Sequence, residues 1–390
     1  MQWKKLENPV KTNNILGTLK MKKLSFFTGL VIIVSITINC MGIRSSDNNK
    51  NQFNTLDSLL LKETYALANE ITIIDCHSHS LFQSKNKNEK QVSFPAINAG
   101  SVNGIVQSFP VNRNNEGSIS EQILADIQSV REEIRNKLPQ VSIALQSTDF
   151  MNKPDNQNTT ILFAVESFKG LSEGNISLLK KYHDEGVRVI GINNSGDDNI
   201  YNDNLLTNYG INYVEELNRL GMICDITHIR RSIQSQIIDL STAPVIISHG
   251  GAFGAVGSEF NTPDSILIKM VQKGGMIGIT LFSGQISNKV LSELESGVKW
   301  NKTSRATIED LIDHIDYLRE KIGIDYIGIG SDYGGSGKIS PTDLETISGY
   351  PMIIYQLLKH GYSKTDIKKI MGQNFLQFWK RVEEASNNNK

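Results

Sequence analysis

The sequence predicts an α/β fold, a (β/α)8 TIM barrel, on three observations. Eight short apolar runs of β type alternate with segments of helical period over roughly 330 residues, the size of one eightfold barrel. Several runs are apolar on both faces, as parallel strands covered by helices must be. The runs also end repeatedly in histidine or a carboxylate, and a barrel gathers its strand ends at one mouth. An open doubly wound sheet is the alternative architecture.

In chain order, the first run is ITIIDCHSH, Ile71 to His79, where a period of two points His77 and His79 to one face. GIVQSFP (from Gly104), ILFAVE (from Ile161), GVRVIGIN (from Gly186) and GMICDITH (from Gly221) follow. APVIISH (from Ala243), GMIGITLF (from Gly275) and YIGIGSD (from Tyr326) complete the eight. Helical segments are expected near 120–138, 175–185, 212–220, 231–240, 263–273, 307–322, 351–360 and 363–382. Thr262 before Pro263 and Asp264 is a helix start, with a capping residue ahead of a first-turn proline.

The N-terminus carries an address. Met21, Lys22 and Lys23 precede the apolar stretch LSFFTGLVIIVSITIN, and Cys40 follows it. That order resembles a bacterial lipoprotein signal, with Cys40 lipidated as the mature N-terminus, although Asn39 stands where a small residue is usual. The expected organisation is an extension and signal over 1–40, a flexible polar tether over 41–54, and the barrel over 55–386. The protein is therefore expected to be exported and anchored by lipid on the periplasmic or cell-surface side.

Composition narrows the function. A formal net charge of −1 gives no global electrostatic footprint for nucleic acid. Three cysteines are too few for a disulfide framework, and Cys76 and Cys224 fall inside apolar runs as buried thiols. The glycine-rich runs HGGAFGAVG, from His249, and GIGSDYGGSG, from Gly328, lack the spacing of phosphate-binding loops. Their glycines are expected to let loop backbone crowd a site.

Read together, the strand ends make one constellation: His77 and His79, Glu166, His228, His249 and Asp332. His183, His314 and His360 fall in helical segments instead and are expected to face solvent or pair locally. Four imidazoles and two carboxylates exceed the needs of one tetrahedral metal. A glutamate between two histidine pairs points to a carboxylate bridging two Zn²⁺ ions per subunit, about 3.5–4 Å apart. Such a centre acidifies water and polarises a carbonyl, and Asp332 is cast as the general base that moves the proton to the leaving nitrogen.

At these residues the sequence resembles the membrane dipeptidase family, also called renal dipeptidases or peptidase family M19, of the amidohydrolase superfamily. HDEGVRVIGI, GMICDITH, APVIISH, ATIEDLIDHIDYL, IDYIGIGSDYGG and MGQNFLQFW carry the resemblance over nearly the whole chain after the tether. It implies a zinc-dependent barrel that hydrolyses dipeptides, often with a D-residue at the C-terminal position, and that is sometimes anchored at a cell surface. By position it implies that His77 and residue 79 bind one metal, Glu166 bridges, His228 and His249 bind the other, and Asp332 is the acid/base.

The chain departs from the family at several points. Position 79 is histidine where the family has aspartate, Asn194 stands in place of a substrate-contacting histidine, and Phe282 in place of a tyrosine. Phe260 stands where an arginine holds the substrate carboxylate, with Arg230 or Arg231 as substitute sources of charge. Beside a dipeptidase, an amidohydrolase for a non-dipeptide amide or lactam and a non-catalytic surface lipoprotein are the alternatives. A homodimer is left open.

Overall fold

The structure, a computed structural model, describes residues 46–83, 91–110, 118–150, 159–166, 172–192, 199–335 and 339–387. Eleven strands are present among them. Eight close a parallel barrel in the order β1 (Ile74–Ser78), β2 (Gly104–Pro110), β4 (Thr159–Glu166), β5 (Val187–Gly191), β8 (Ile223–Asp225), β9 (Ile246–Gly250), β10 (Met276–Ile279) and β11 (Ile327–Ile329), which returns to β1. These are the eight expected strands.

The other three are short. β3 (Val141–Ile143) pairs with the start of β4, Val141 opposite Thr159, whereas β5 pairs with its end, Glu166 opposite Gly191. β6 (Tyr201–Asn202) and β7 (Leu205–Leu206) make an antiparallel hairpin whose turn residue Asp203 has φ 49°. None has the four or more alternating residues that make a strand legible in sequence.

Helices cover the barrel where helical period places them. Arg231–Leu240 matches the expected bounds, and Ile308–Ile322 opens with a capping box between Thr307 and Asp310. Two expectations need correction. The expected tether is helical from Ser46, because helix Ser46–Glu70 propagates through its polar first half at little cost once its second half is formed. The expected single helix over 363–382 is instead Lys364–Lys368, a π turn at Lys369–Gln373, and Asn374–Asn387. The break falls at Gly372, which passes so close to the chain just before β1 that a Cβ there would stand 2.4 Å from the Thr72 carbonyl oxygen.

Residues 1–56 form one unit and 57–390 another, and the helical backbone from Ser46 is all that is described of the first. Cys40 and the apolar stretch before it lie outside the described residues. Among the described residues no helix is long and apolar enough to cross a membrane.

The core has two layers. A large shell of isoleucine, leucine and valine lies between strands and helices. A second cluster joins Ile74, Ile223, Ile246 and Met276, at or near the N-terminal ends of their strands, to Phe375, Phe378 and Trp379 of the last helix. These aromatics seal the bottom of the barrel, and burying each contributes a few kcal/mol, on the order of 3–5 for a ring of this size. Cys76 and Cys224 are buried, as expected. His314 is buried too, against expectation: it lies on the inner face of its helix, and its Nε2 accepts the Ala252 N–H at 2.8 Å.

Candidate metal centre

The six expected residues meet at the C-terminal mouth. His77 is in β1, and His79 follows it with its N–H bonded to the Tyr333 carbonyl. Glu166 ends β4, His249 lies in β9, and His228 and Asp332 sit on the turns after β8 and β11. Local irregularity aims them. The β1–β2 register shifts between Asp75 and Ser78, around His77, and the β10–β9 register shifts opposite Ser248 and His249.

Glu166 organises the geometry. Its Oε2 is 2.9 Å from His77 Nε2 and 3.3 Å from His79 Nε2, and those nitrogens are 3.0 Å apart. Its Oε1 is 3.9 Å from both His228 Nε2 and His249 Nε2, which are themselves 2.9 Å apart. One carboxylate thus turns one oxygen to each histidine pair. Asp332 Oδ1 lies 3.6 Å from His79 Nε2.

This donor set fits divalent metal. Two pairs of imidazole nitrogens meet at hydrogen-bond distance beside carboxylate oxygens, and His77–His79–Asp332 and Glu166–His228–His249 each converge within 4.8 Å. Without metal the charges compensate one another. Burial works against a proton on His77, but the Glu166 carboxylate outweighs it and lifts the pKa to about 9. Burial likewise opposes charge on Glu166, yet His77 and His249 hold it well below the usual carboxylate range. Burial and the neighbouring His77 push His249 well down, and burial raises Asp332.

Beneath the ligands lie two buried carboxylates that sequence reading missed. Asp75 accepts from Ser331 N–H at 2.8 Å and Ser331 Oγ at 2.6 Å, and burial lifts its pKa to about 6. Asp225 accepts from Thr227 N–H and Oγ and from Ser248 N–H and Oγ. The signal was present: each aspartate interrupts an apolar run two or three residues before a ligand histidine.

Gly335 meets the expectation of a crowding glycine, since a Cβ there would stand 2.1 Å from Asp332 Oδ1 and 2.8 Å from His79 Cδ2. The proposed pocket residues fare unevenly. Asn194 lies outside the described residues. Phe282 is half-buried just after β10, and Phe260 is 50% exposed on the loop after β9. Arg231, the first residue of helix Arg231–Leu240, rests its guanidinium against that loop, over the Phe253 ring at 4.5 Å and 3.5 Å from Glu259, while Arg230 donates to the Asp203 carbonyl.

Known proteins resemble this chain over most of its length. Dipeptidase 3 of Rattus norvegicus is 26% identical over 354 residues, 84% of this chain and 69% of that protein. The probable dipeptidase PvdM of Pseudomonas aeruginosa superposes with a TM-score of 0.72 at 20% identity, covering 84% of this chain and 99% of that one. A metallopeptidase of Rhodobacter sphaeroides, solved with a phosphinate mimic of the dipeptide L-Ala-D-Ala, gives 0.67 at 17% identity over 80% and 99%. The family model for membrane dipeptidase, peptidase family M19, matches residues 61–390, and the chain belongs to that family.

Proposed function

We propose that the protein is a binuclear zinc dipeptidase, with His77 and His79 holding one ion, His228 and His249 the other, and Glu166 bridging them. The observation that carries this reading is the Glu166 carboxylate, whose two oxygens face separate histidine pairs. When bound, two zinc ions would supply Lewis acidity toward water and toward the scissile carbonyl.

The chain's own residues do the rest. Asp332 Oδ1, beside His79 at the open side of the centre, takes a proton from the attacking water and passes it to the leaving amine. Burial raises its pKa above the ordinary carboxylate value. Gly335 leaves room for that carboxylate, and the half-buried Phe282 offers an apolar wall to a small substrate. A dipeptide is the substrate this reading favours, in line with the relatives named above.

The address is part of the proposal. The sequence around Cys40 supports export and a lipid anchor ahead of the barrel, and a homodimer is compatible with it. Elemental analysis of the purified protein, with assays on L,L and L,D dipeptides and their C-terminal amides, tests the function. Two zinc ions per chain and a preference for free dipeptides are expected. Absence of bound zinc, or full activity in His228→Ala, would sink the proposal.

A further inference from the structure

One hydroxyl touches a ligand of each proposed ion. Ser248 Oγ lies 2.5 Å from Asp225 Oδ2, 2.9 Å from His249 Nδ1 and 3.2 Å from His77 Nδ1. A serine hydroxyl has one hydrogen and two lone pairs. Asp225 already accepts at Oδ1 from Thr227 N–H, Thr227 Oγ and Ser248 N–H, so its neighbours use it as an acceptor throughout. The single hydrogen of Ser248 therefore goes to Oδ2.

What remains on Oγ can only accept. Both Nδ1 atoms complete their contacts by donating, so each ring carries a hydrogen on Nδ1. A neutral imidazole in that tautomer has its lone pair on Nε2. In both rings Nε2 is the edge that faces Glu166 or a partner histidine. Stacking makes the shared contact feasible, because the His77 and His249 rings lie 3.8 Å apart at 29° and turn the same edge toward Ser248.

We infer that Ser248, oriented by Asp225, is a positioning residue that fixes the metal-binding tautomer of one histidine in each pair. The inference rests on the zinc reading above for its consequence, though the His249 tautomer is itself a property of the metal-free chain. The other ligand of the first pair has no such support: His79 Nδ1 is buried with no hydrogen-bond partner. Ser331 provides an internal contrast. It bonds Asp75 through N–H and Oγ in the same way, but its other partners are the His77 carbonyl and the Tyr333 N–H, and neither is an imidazole.

The test reads tautomers first. In full-length metal-free protein labelled with ¹⁵N-histidine, His249 is expected to carry its hydrogen on Nδ1. Ser248→Ala should move it toward Nε2, and Ser331→Ala should not. Zinc competition against a chromophoric chelator should then show both ions weakened about tenfold to a hundredfold in Ser248→Ala, with recovery in Ser248→Thr.

A hydrogen on His249 Nε2 in the unmutated protein would overturn the inference, and this result needs no variant to fold. Loss of affinity for one ion alone, or for neither, would overturn it as well. If the unmutated protein binds no zinc while His249 still carries its hydrogen on Nδ1, the dipeptidase reading fails and the role of Ser248 in fixing the tautomer stands.

Discussion

His314 couples the stability of the fold to acid. Its ring is buried in helix Ile308–Ile322, and burial depresses its pKa from 6.5 to about 4. In the folded state it stays neutral, and its Nε2 accepts the Ala252 N–H of the loop that follows His249. The unfolded chain binds a proton below about pH 6.5 that the folded chain refuses until about pH 4. Stability from this group is therefore intact above pH 6.5 and lost as pH falls toward 4.

Its size follows from the interval. A difference of about 2.5 between 6.5 and 4, at 1.36 kcal/mol per pH unit, comes to about 3 kcal/mol. The perturbation is His314→Gln, whose amide oxygen can occupy the place of Nε2 and accept the same N–H without titrating. Urea unfolding of both proteins in chelator, from pH 7 to 4, gives the comparison. The variant should lose about 3 kcal/mol less than the parent over that range. Parallel pH profiles would refute the reasoning, because they would mean that the buried ring gains its proton as readily in the folded as in the unfolded state.

Asp332→Asn should lower kcat on a dipeptide about a hundredfold to ten-thousandfold, while zinc content by elemental analysis stays at the parent level. Gly335→Ala places a methyl against Asp332 Oδ1 and His79, so kcat should fall at least tenfold with little change in Tm. Removing metal with a chelator should abolish hydrolysis, and titration should restore it with two equivalents of zinc per chain. Trp379→Ala, at the sealed end of the barrel, should cost on the order of 3–5 kcal/mol in denaturant unfolding, and activity should survive wherever the variant stays folded.

The barrel and its six mouth residues were legible because each barrel strand is an apolar run bounded by a change of composition. His77, Glu166, His249 and Asp332 stand where those runs stop. Less legible were features set by contacts distant in sequence. The π turn at Lys369–Gln373 falls where Gly372 meets the Thr72 carbonyl, some 300 residues earlier in the chain. His314 reads as a helix-surface histidine, and its burial and its partner on the loop after β9 show that it faces inward. Ser248 and Ser331 carry no sequence signal by themselves. Their role depends on which strand lies beside them, and barrel closure brings β11 against β1.

Two buried carboxylates explain how the mouth tolerates strain. His228 at φ 62° and Asp332 at φ 55° occupy the left-handed region, where a side chain with a Cβ costs on the order of 1–3 kcal/mol. Each strained residue follows a hydroxyl residue pinned twice to a buried carboxylate. Thr227 N–H and Oγ both reach Asp225 Oδ1, and Ser331 N–H and Oγ both reach Asp75. Two charge-assisted hydrogen bonds on the preceding residue are enough to offset a penalty of that size. The same Asp225 orients Ser248 beneath His77 and His249. A buried carboxylate inside an apolar strand is costly unless its acceptors are filled, and here filling them fixes the backbone at His228 and Asp332 and the imidazoles between them.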